Sequence, residues 1–233
     1  MPMLSFISDE ALLQAVKHLL VTADDAQKKA TKNFSRNVID PFALLFEMSG
    51  FQVDQETWTI GEKRRQAQKT LQNQVGAFHQ KILGSLNGWN DLETGSVVDI
   101  VSMNRKIIAE IKNKYNTVKG SDKVKVYDQL ETCVMTKGHQ YKGFTAYYVE
   151  ILPKSRARYD KEFIPPDNTK GKSRPANQLV RQIDGYSFYA LATGVPDALA
   201  QLFASLPDVI EGCSEYRFAD REFAKHFFHK AFG

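Results

Sequence analysis

The chain predicts an α/β domain with a mixed central β-sheet and helices on its faces. Three features predict it. Apolar residues recur at helical spacing through roughly the first ninety positions, the middle changes to short β-rich runs, and helical spacing returns between and after those runs.

In the N-terminal part, Leu12, Leu13, Val16, Leu19 and Leu20 share one helical face over residues 9–20. Asp40-Pro41 reads as a helix start, with Asp40 as cap and Pro41 at the first helical position, followed by Phe42, Leu44, Leu45 and Phe46. Residues 62–86 form a long polar helix with Leu71, Val75, Phe78, Ile82 and Leu83 inward, closed by Asn87-Gly88.

In the middle, SVVDIVS over 96–102 and KIIAEIK over 106–112 read as two strands joined at Asn104-Arg105. Residues 123–135 carry Val126, Leu130 and Val134 at every fourth position, a helix. FTAYYVEIL over 144–152 is the strongest strand signal in the chain. A polar stretch from Pro153 to Arg181 follows as a long loop or hairpin. Residues 186–192, YSFYALA, read as a last core strand, and helices are expected over 196–205 and 219–231. We read no linker. The whole chain, 1–233, is expected as one domain with a helical part at about 1–90, a sheet core at about 91–210 and a C-terminal helix.

Composition narrows the class. Of 233 residues 42% are hydrophobic and 25% charged, which suits a packed globular chain better than a disordered one. Cys133 and Cys213 have no metal-binding or disulfide-framework spacing, so they are expected reduced. No apolar run reaches membrane-spanning length and no secretion signal opens the chain, so the expected location is the cytoplasm. No GxxxxGK[ST] phosphate loop is present, which speaks against a nucleotide cofactor.

The formal charge is only +4, but it is unevenly spread. Arg105–Lys125 holds seven Lys/Arg against two acids, and Lys154–Arg181 holds eight against three. Basic charge gathered in two stretches suits a polyanion-binding face; solvated lysine-rich loops are the plain alternative.

The chemistry centres on three residues. Asp99 interrupts one apolar strand and Glu110 the next, with Lys112 two positions on and therefore on the same face as Glu110. Charged groups pressed among apolar neighbours need partners. Two carboxylates from adjacent strands can bind Mg²⁺, with the backbone carbonyl of Ile111 as a further ligand. The ion would polarise a phosphate and acidify a bound water, while Lys112 orients that water and stabilises the phosphorane. Glu110 is the only acidic residue in the chain with Lys two positions later. A solvent-exposed strand pair with Asp99 capping a turn is the plain alternative.

The stretch VVDIVSMNRKIIAEIKNKYNTVKGSDK resembles type II restriction endonucleases of the PD-(D/E)XK superfamily, with Val98 where the motif's proline would stand. The order helix, hairpin, helix, strand over roughly 40–210 is also similar to that core. The run from Glu110 to Asn116, then Gly120 to Lys123, resembles the subgroup that cuts GGNCC sites. The resemblance implies a restriction-endonuclease-like core, with Asp99 and Glu110 as metal ligands and Lys112 as catalytic lysine. Several such enzymes add an acid from an upstream helix; Glu47, Glu56 and Glu93 are candidates.

Double-stranded DNA is then the expected partner. Lys114, Lys119, Lys123 and Lys125 follow the catalytic strand and are candidates for phosphate contacts, as are Lys63, Arg64, Arg65 and Lys69 on the long helix. Arg156, Arg158, Asn168, Lys170, Lys172, Arg174 and Asn177 fill the long connection and are candidates for base reading, with Tyr159, Phe163 and Ile164 as anchors. A palindromic site would call for a homodimer, each subunit cutting one strand. A repair or recombination nuclease with the same core, and a DNA-binding module with a structural acidic cluster, are the rival readings. Gln129 reads as an exposed helix residue, and His226 and His229 as part of an aromatic helix.

Overall fold

A computed structural model describes residues 2–93, 97–167 and 171–233. The chain forms two compact units, one of Met1–Val16 with Gly76–Gly233 and one of Lys17–Val75.

The second unit is helical. It holds most of α1 (Asp9–Lys32), all of α2 (Pro41–Phe51) and the first part of α3 (Gln55–Gly84). The start of α2 follows the sequence: Asp40 Oδ1 accepts from the amides of Phe42 (2.9 Å) and Ala43 (3.2 Å), and Pro41 occupies the first turn, where its missing N–H costs nothing. In this unit Arg65 makes a two-pronged pair with the buried carboxylate of Glu62, which Gln66 also donates to.

The first unit is built on a six-stranded sheet. Its strands are β1 (Asn90–Asp91), β2 (Ile100–Ser102), β3 (Ile107–Lys114), β4 (Thr145–Leu152), β5 (Asp160–Glu162) and, after a small separate hairpin of β6 (Pro166–Asp167) and β7 (Lys172–Ser173), β8 (Val180–Asp184). Their order is β1-β2-β3-β4-β8-β5. The central three, β3, β4 and β8, are parallel, and antiparallel strands close both sides. A parallel pair needs a crossover, and α4 (Gly120–Met135) supplies it between β3 and β4.

The sheet carries its core on both faces. On one, Tyr127, Leu130, Cys133 and Val134 of α4 pack on Ile108, Ala146, Tyr148 and Val180. On the other, α5 (Gly185–Thr193) seats Phe188 between the rings of Trp89 and Tyr147, and the last turns of α3 bring His79 against Tyr189. Helices α6 (Ala198–Cys213) and α7 (Arg221–Phe232) complete the unit, with Phe203 stacked on Phe228.

Three expectations need correction. Residues 186–192 are helical, and the last core strand is the preceding VRQID. Asp184 ends that strand and caps the helix: its Oδ1 accepts from the Ser187 amide at 3.0 Å, and Phe188, Tyr189 and Ala192 then fall on one buried helical face. The strand expected over 96–102 is regular only from Ile100; Ser96 lies outside the described residues. Asp99 keeps ladder bonds nonetheless, its amide donating to Ala109 (3.0 Å) and its carbonyl accepting from Leu92 (2.9 Å). The hairpin turn covers Met103–Lys106, one residue wider on each side than Asn104-Arg105, with Lys106 at φ 53°.

Candidate active site

Asp99, Glu110 and Lys112 meet at one place. Asp99 enters from the mouth of β2, and its Oδ2 accepts from the Ile111 amide at 2.6 Å. Glu110 and Lys112 project from the same face of β3, and Lys112 Nζ donates to Glu110 Oε1. The carboxyls of Asp99 and Glu110 are close enough to act on each other electrostatically. Glu110 keeps 15% and Lys112 25% of its side chain exposed, so the cluster is sheltered but open to a ligand.

Burial dominates the electrostatics. It pushes the Asp99 carboxyl above the usual carboxylate range, against the Ile111 amide and the Lys112 charge, which pull the other way; the charge of Asp91 adds to the rise. Burial also raises Glu110, with the Asp99 charge behind it and Lys112 opposing. Two acids here share one ammonium, so the trio carries an excess of negative charge in a poorly solvated place. A hard divalent cation relieves both the desolvation and the repulsion, and oxygen donors are its preferred ligands. The residues present fit such an ion, although no group of three or more His, Cys, Asp or Glu side chains forms a metal cage among the described residues.

A second polar cluster adjoins the first. Glu150 on β4 is the register partner of Lys112 and is buried. Lys123 of α4 donates to its Oε1 at 2.7 Å, while the Tyr159 hydroxyl (2.7 Å) and Gln182 (2.9 Å) donate to Oε2. Sequence reading missed Glu150 and Asp91. The signal for Glu150 was available: a carboxylate inside the most apolar strand of the chain, the same cue that picked out Asp99 and Glu110. Asp91, which holds Gln80 (2.8 Å) and the Glu93 amide (2.9 Å), carries no such cue.

Internal partners hold several residues read as DNA contacts. Lys123 is committed to Glu150. Arg174 pairs with Asp128 at 2.5 Å and approaches Asp167 at 3.7 Å, and Asn177 donates to Glu131. Arg156 and Arg158 donate to the carbonyls of Lys230 (3.0 Å) and Phe232 (2.8 Å), closing the C-terminal end of α7, and Arg158 also stacks on Tyr186 at 3.6 Å. Lys119 and Lys172 are exposed and Lys114 is half-buried. Asn168 and Lys170 lie outside the described residues. Glu47 belongs to the helical unit, where the Trp58 indole donates to it at 2.8 Å. Glu56 is exposed in the first turn of α3, and Glu93 is exposed at φ 56°. Of the anchors, Phe163 is buried, Tyr159 binds Glu150, and Ile164 is 43% exposed. Gln129 is exposed, and His226 packs edge-on against Phe227.

A mixed sheet of this order, flanked by helices, is the architecture of the restriction-endonuclease-like fold. Sequence comparison narrows that class. The family model described as Eco47II restriction endonuclease matches residues 4–214. The type II restriction enzyme Eco47II of Escherichia coli is 45% identical over 236 aligned residues, covering 100% of this chain and 98% of that enzyme. The type II restriction enzyme Sau96I of Staphylococcus aureus is 30% identical over 222 residues, 94% of this chain and 84% of that enzyme. The chain belongs to the Eco47II restriction endonuclease family. It is a restriction endonuclease, a site-specific deoxyribonuclease. No helix among the described residues is long and apolar enough to cross a membrane.

Proposed function

We propose that this endonuclease hydrolyses both strands of a short duplex site in a Mg²⁺-dependent reaction, at a centre made by Asp99, Glu110 and Lys112. One observation carries the reading: two carboxylates and an ammonium from adjacent strands converge in a sheltered place that remains open to a ligand. Asp99 and Glu110 would hold the ion. Ile111 would add its carbonyl, since the N–H and C=O of a strand residue face the same edge and the Ile111 amide faces Asp99. Bound there, Mg²⁺ supplies Lewis-acid polarisation of the phosphate and a water of lowered pKa. Lys112 orients the attacking water and stabilises the charge that develops on the phosphorane.

Lys114 and Lys119 are offered for phosphate contact and Lys172 for base reading, since no ion pair engages them among the described residues. The resemblance of the Glu110–Lys123 stretch implies a site of the GGNCC kind. A site of two-fold symmetry calls for a homodimer, because the chain brings one such centre to a duplex with two strands. Such an enzyme would act in the cytoplasm, where entering DNA is met. Incubation of the purified chain with supercoiled plasmid tests the proposal. Discrete fragments in Mg²⁺ and none in EDTA are expected. Random nicking, or a gel shift with the DNA left intact, would instead favour the repair nuclease or the binding module.

A further inference from the structure

Tyr148 lies at the centre of β4 and is fully buried. Among the described residues, its hydroxyl and Arg174 Nε are the buried side-chain polar atoms with no hydrogen-bond partner. The guanidinium of Arg174 is answered by Asp128 and Asp167. The phenol is not answered. A buried donor left unmade is costly, and where it persists it asks for a reason.

The ring is held firmly. It stacks face to face on Phe163, with centroids 4.5 Å apart and planes 2° apart, and Lys123 Nζ lies 5.4 Å from its centre on the α4 side. Its register partner on β3 is Glu110, so the two side chains stand next to each other on one face of the sheet. The hydroxyl lies in the field of two carboxylates, Glu150 and Glu110. These two differ in what they already hold. Glu150 has its charge matched by Lys123 and accepts from three donors on its two oxygens. Glu110 has Lys112 as its one cationic donor and shares its remaining capacity with another acid, Asp99. The acceptor with room for a phenolic proton is Glu110.

We propose that Tyr148 is a positioning residue for Glu110: with that carboxylate turned to a divalent cation, the phenol donates to it and fixes its orientation as a ligand. This rests on the metal reading above. A ligating carboxylate is ordinarily oriented by such a neighbour, and a ring clamped between β4 and Phe163 has little freedom left to lose when it makes the bond. Among the described residues, Tyr148 is the buried side chain on this face whose hydroxyl has a proton to give and no acceptor. That is the property an orienting group needs while the ion is absent.

The test is Mn²⁺ binding to the full-length protein, read from the loss of the free-ion EPR signal, in wild type, Tyr148→Phe and Tyr159→Phe. Removing an unpartnered hydroxyl leaves the ring packing in place, so Tyr148→Phe folds with an unchanged or higher melting temperature. It is expected to weaken Mn²⁺ binding on the order of 10-fold. Tyr159→Phe removes a half-buried phenol from Glu150 instead and is expected to leave Mn²⁺ affinity unchanged. Equal Mn²⁺ affinity in Tyr148→Phe and wild type overturns the positioning role and leaves the metal site standing. Equal weakening in both variants also overturns it, since general loosening then explains the effect. A wild-type protein that binds no Mn²⁺ removes the metal reading itself, and the role of Tyr148 with it.

Discussion

Lys123 on α4 donates to Glu150 on β4 at 2.7 Å, and Glu150 is the register partner of Lys112 on β3. The pair neutralises Glu150, so the Lys112 ammonium is left to Glu110 and Asp99. It is also sheltered, with 19% and 4% of the two side chains exposed. Removing one partner leaves an uncompensated charge beside the proposed centre. We expect Lys123→Met to destabilise the protein by about 3–5 kcal/mol in urea unfolding. Lys125→Met, which breaks an exposed pair with Asp122, should cost no more than about 1 kcal/mol. Equal costs for the two variants would show that the Glu150 pair carries no special weight.

Lys112→Ala should abolish cleavage and spare DNA binding. The ammonium is placed to act on charge that exists only during reaction, so its loss falls on turnover rather than affinity. A fall of roughly 10²-fold or more in the cleavage rate is expected, with an unchanged gel shift on the same duplex. A variant that cuts plasmid at the wild-type rate takes Lys112 out of the chemistry.

Much of this centre was legible because strand periodicity is strict. Once 106–112 reads as a strand, Glu110 and Lys112 must share a face, and Asp99 is within one short turn of them in sequence. The cap at Asp40-Pro41 was legible for a similar reason, since its hydrogen bonds close within three residues. What escaped was tertiary. YSFYALA has the aromatic and apolar content of a strand, and only Asp184, which bonds both Ser187 and the Tyr159 amide (2.8 Å), settles it as a helix. Arg156 and Arg158 read as free base-reading donors because their acceptors, carbonyls more than seventy residues later, have no local trace in the chain.

His79 should make the protein acid-sensitive. Its half-buried ring packs edge-on against Phe78 and Tyr189, it shares a 2.8 Å hydrogen bond with the Tyr189 hydroxyl, and desolvation lowers its pKa from 6.5 to about 4. The folded protein therefore binds fewer protons here than the unfolded chain between those two values. Stability from this group is complete above the unfolded pKa and is lost as pH falls toward about 4. The loss is about 2–3 kcal/mol across the window. Unfolding in urea at pH 7 and pH 5 should show this slope in wild type and a shallower one in His79→Gln. Parallel slopes would mean that the imidazole does not titrate differently in the two states.

Gly185, the first residue of α5, sits directly against the backbone of β4. A Cβ built on it would stand 2.4 Å from the Ile151 carbonyl oxygen and 2.5 Å from the Ile151 Cα, and both are backbone atoms that cannot rotate away. The residue follows Asp184, so any shift at 185 also moves the cap that starts α5 and holds the Tyr159 amide. Tyr159 in turn donates to Glu150 beside the proposed centre. Gly185→Ala is therefore expected to cost more than its single added methyl suggests, at least about 1–3 kcal/mol from overpacking, together with reduced cleavage. Gly212→Ala, where an added Cβ meets nothing within 4 Å, is the matched control on helix α6 and should be neutral or stabilising. Comparable melting temperatures for the two alanine variants would show that β4 and α5 can separate freely, and that the close approach at Ile151 does not brace the site.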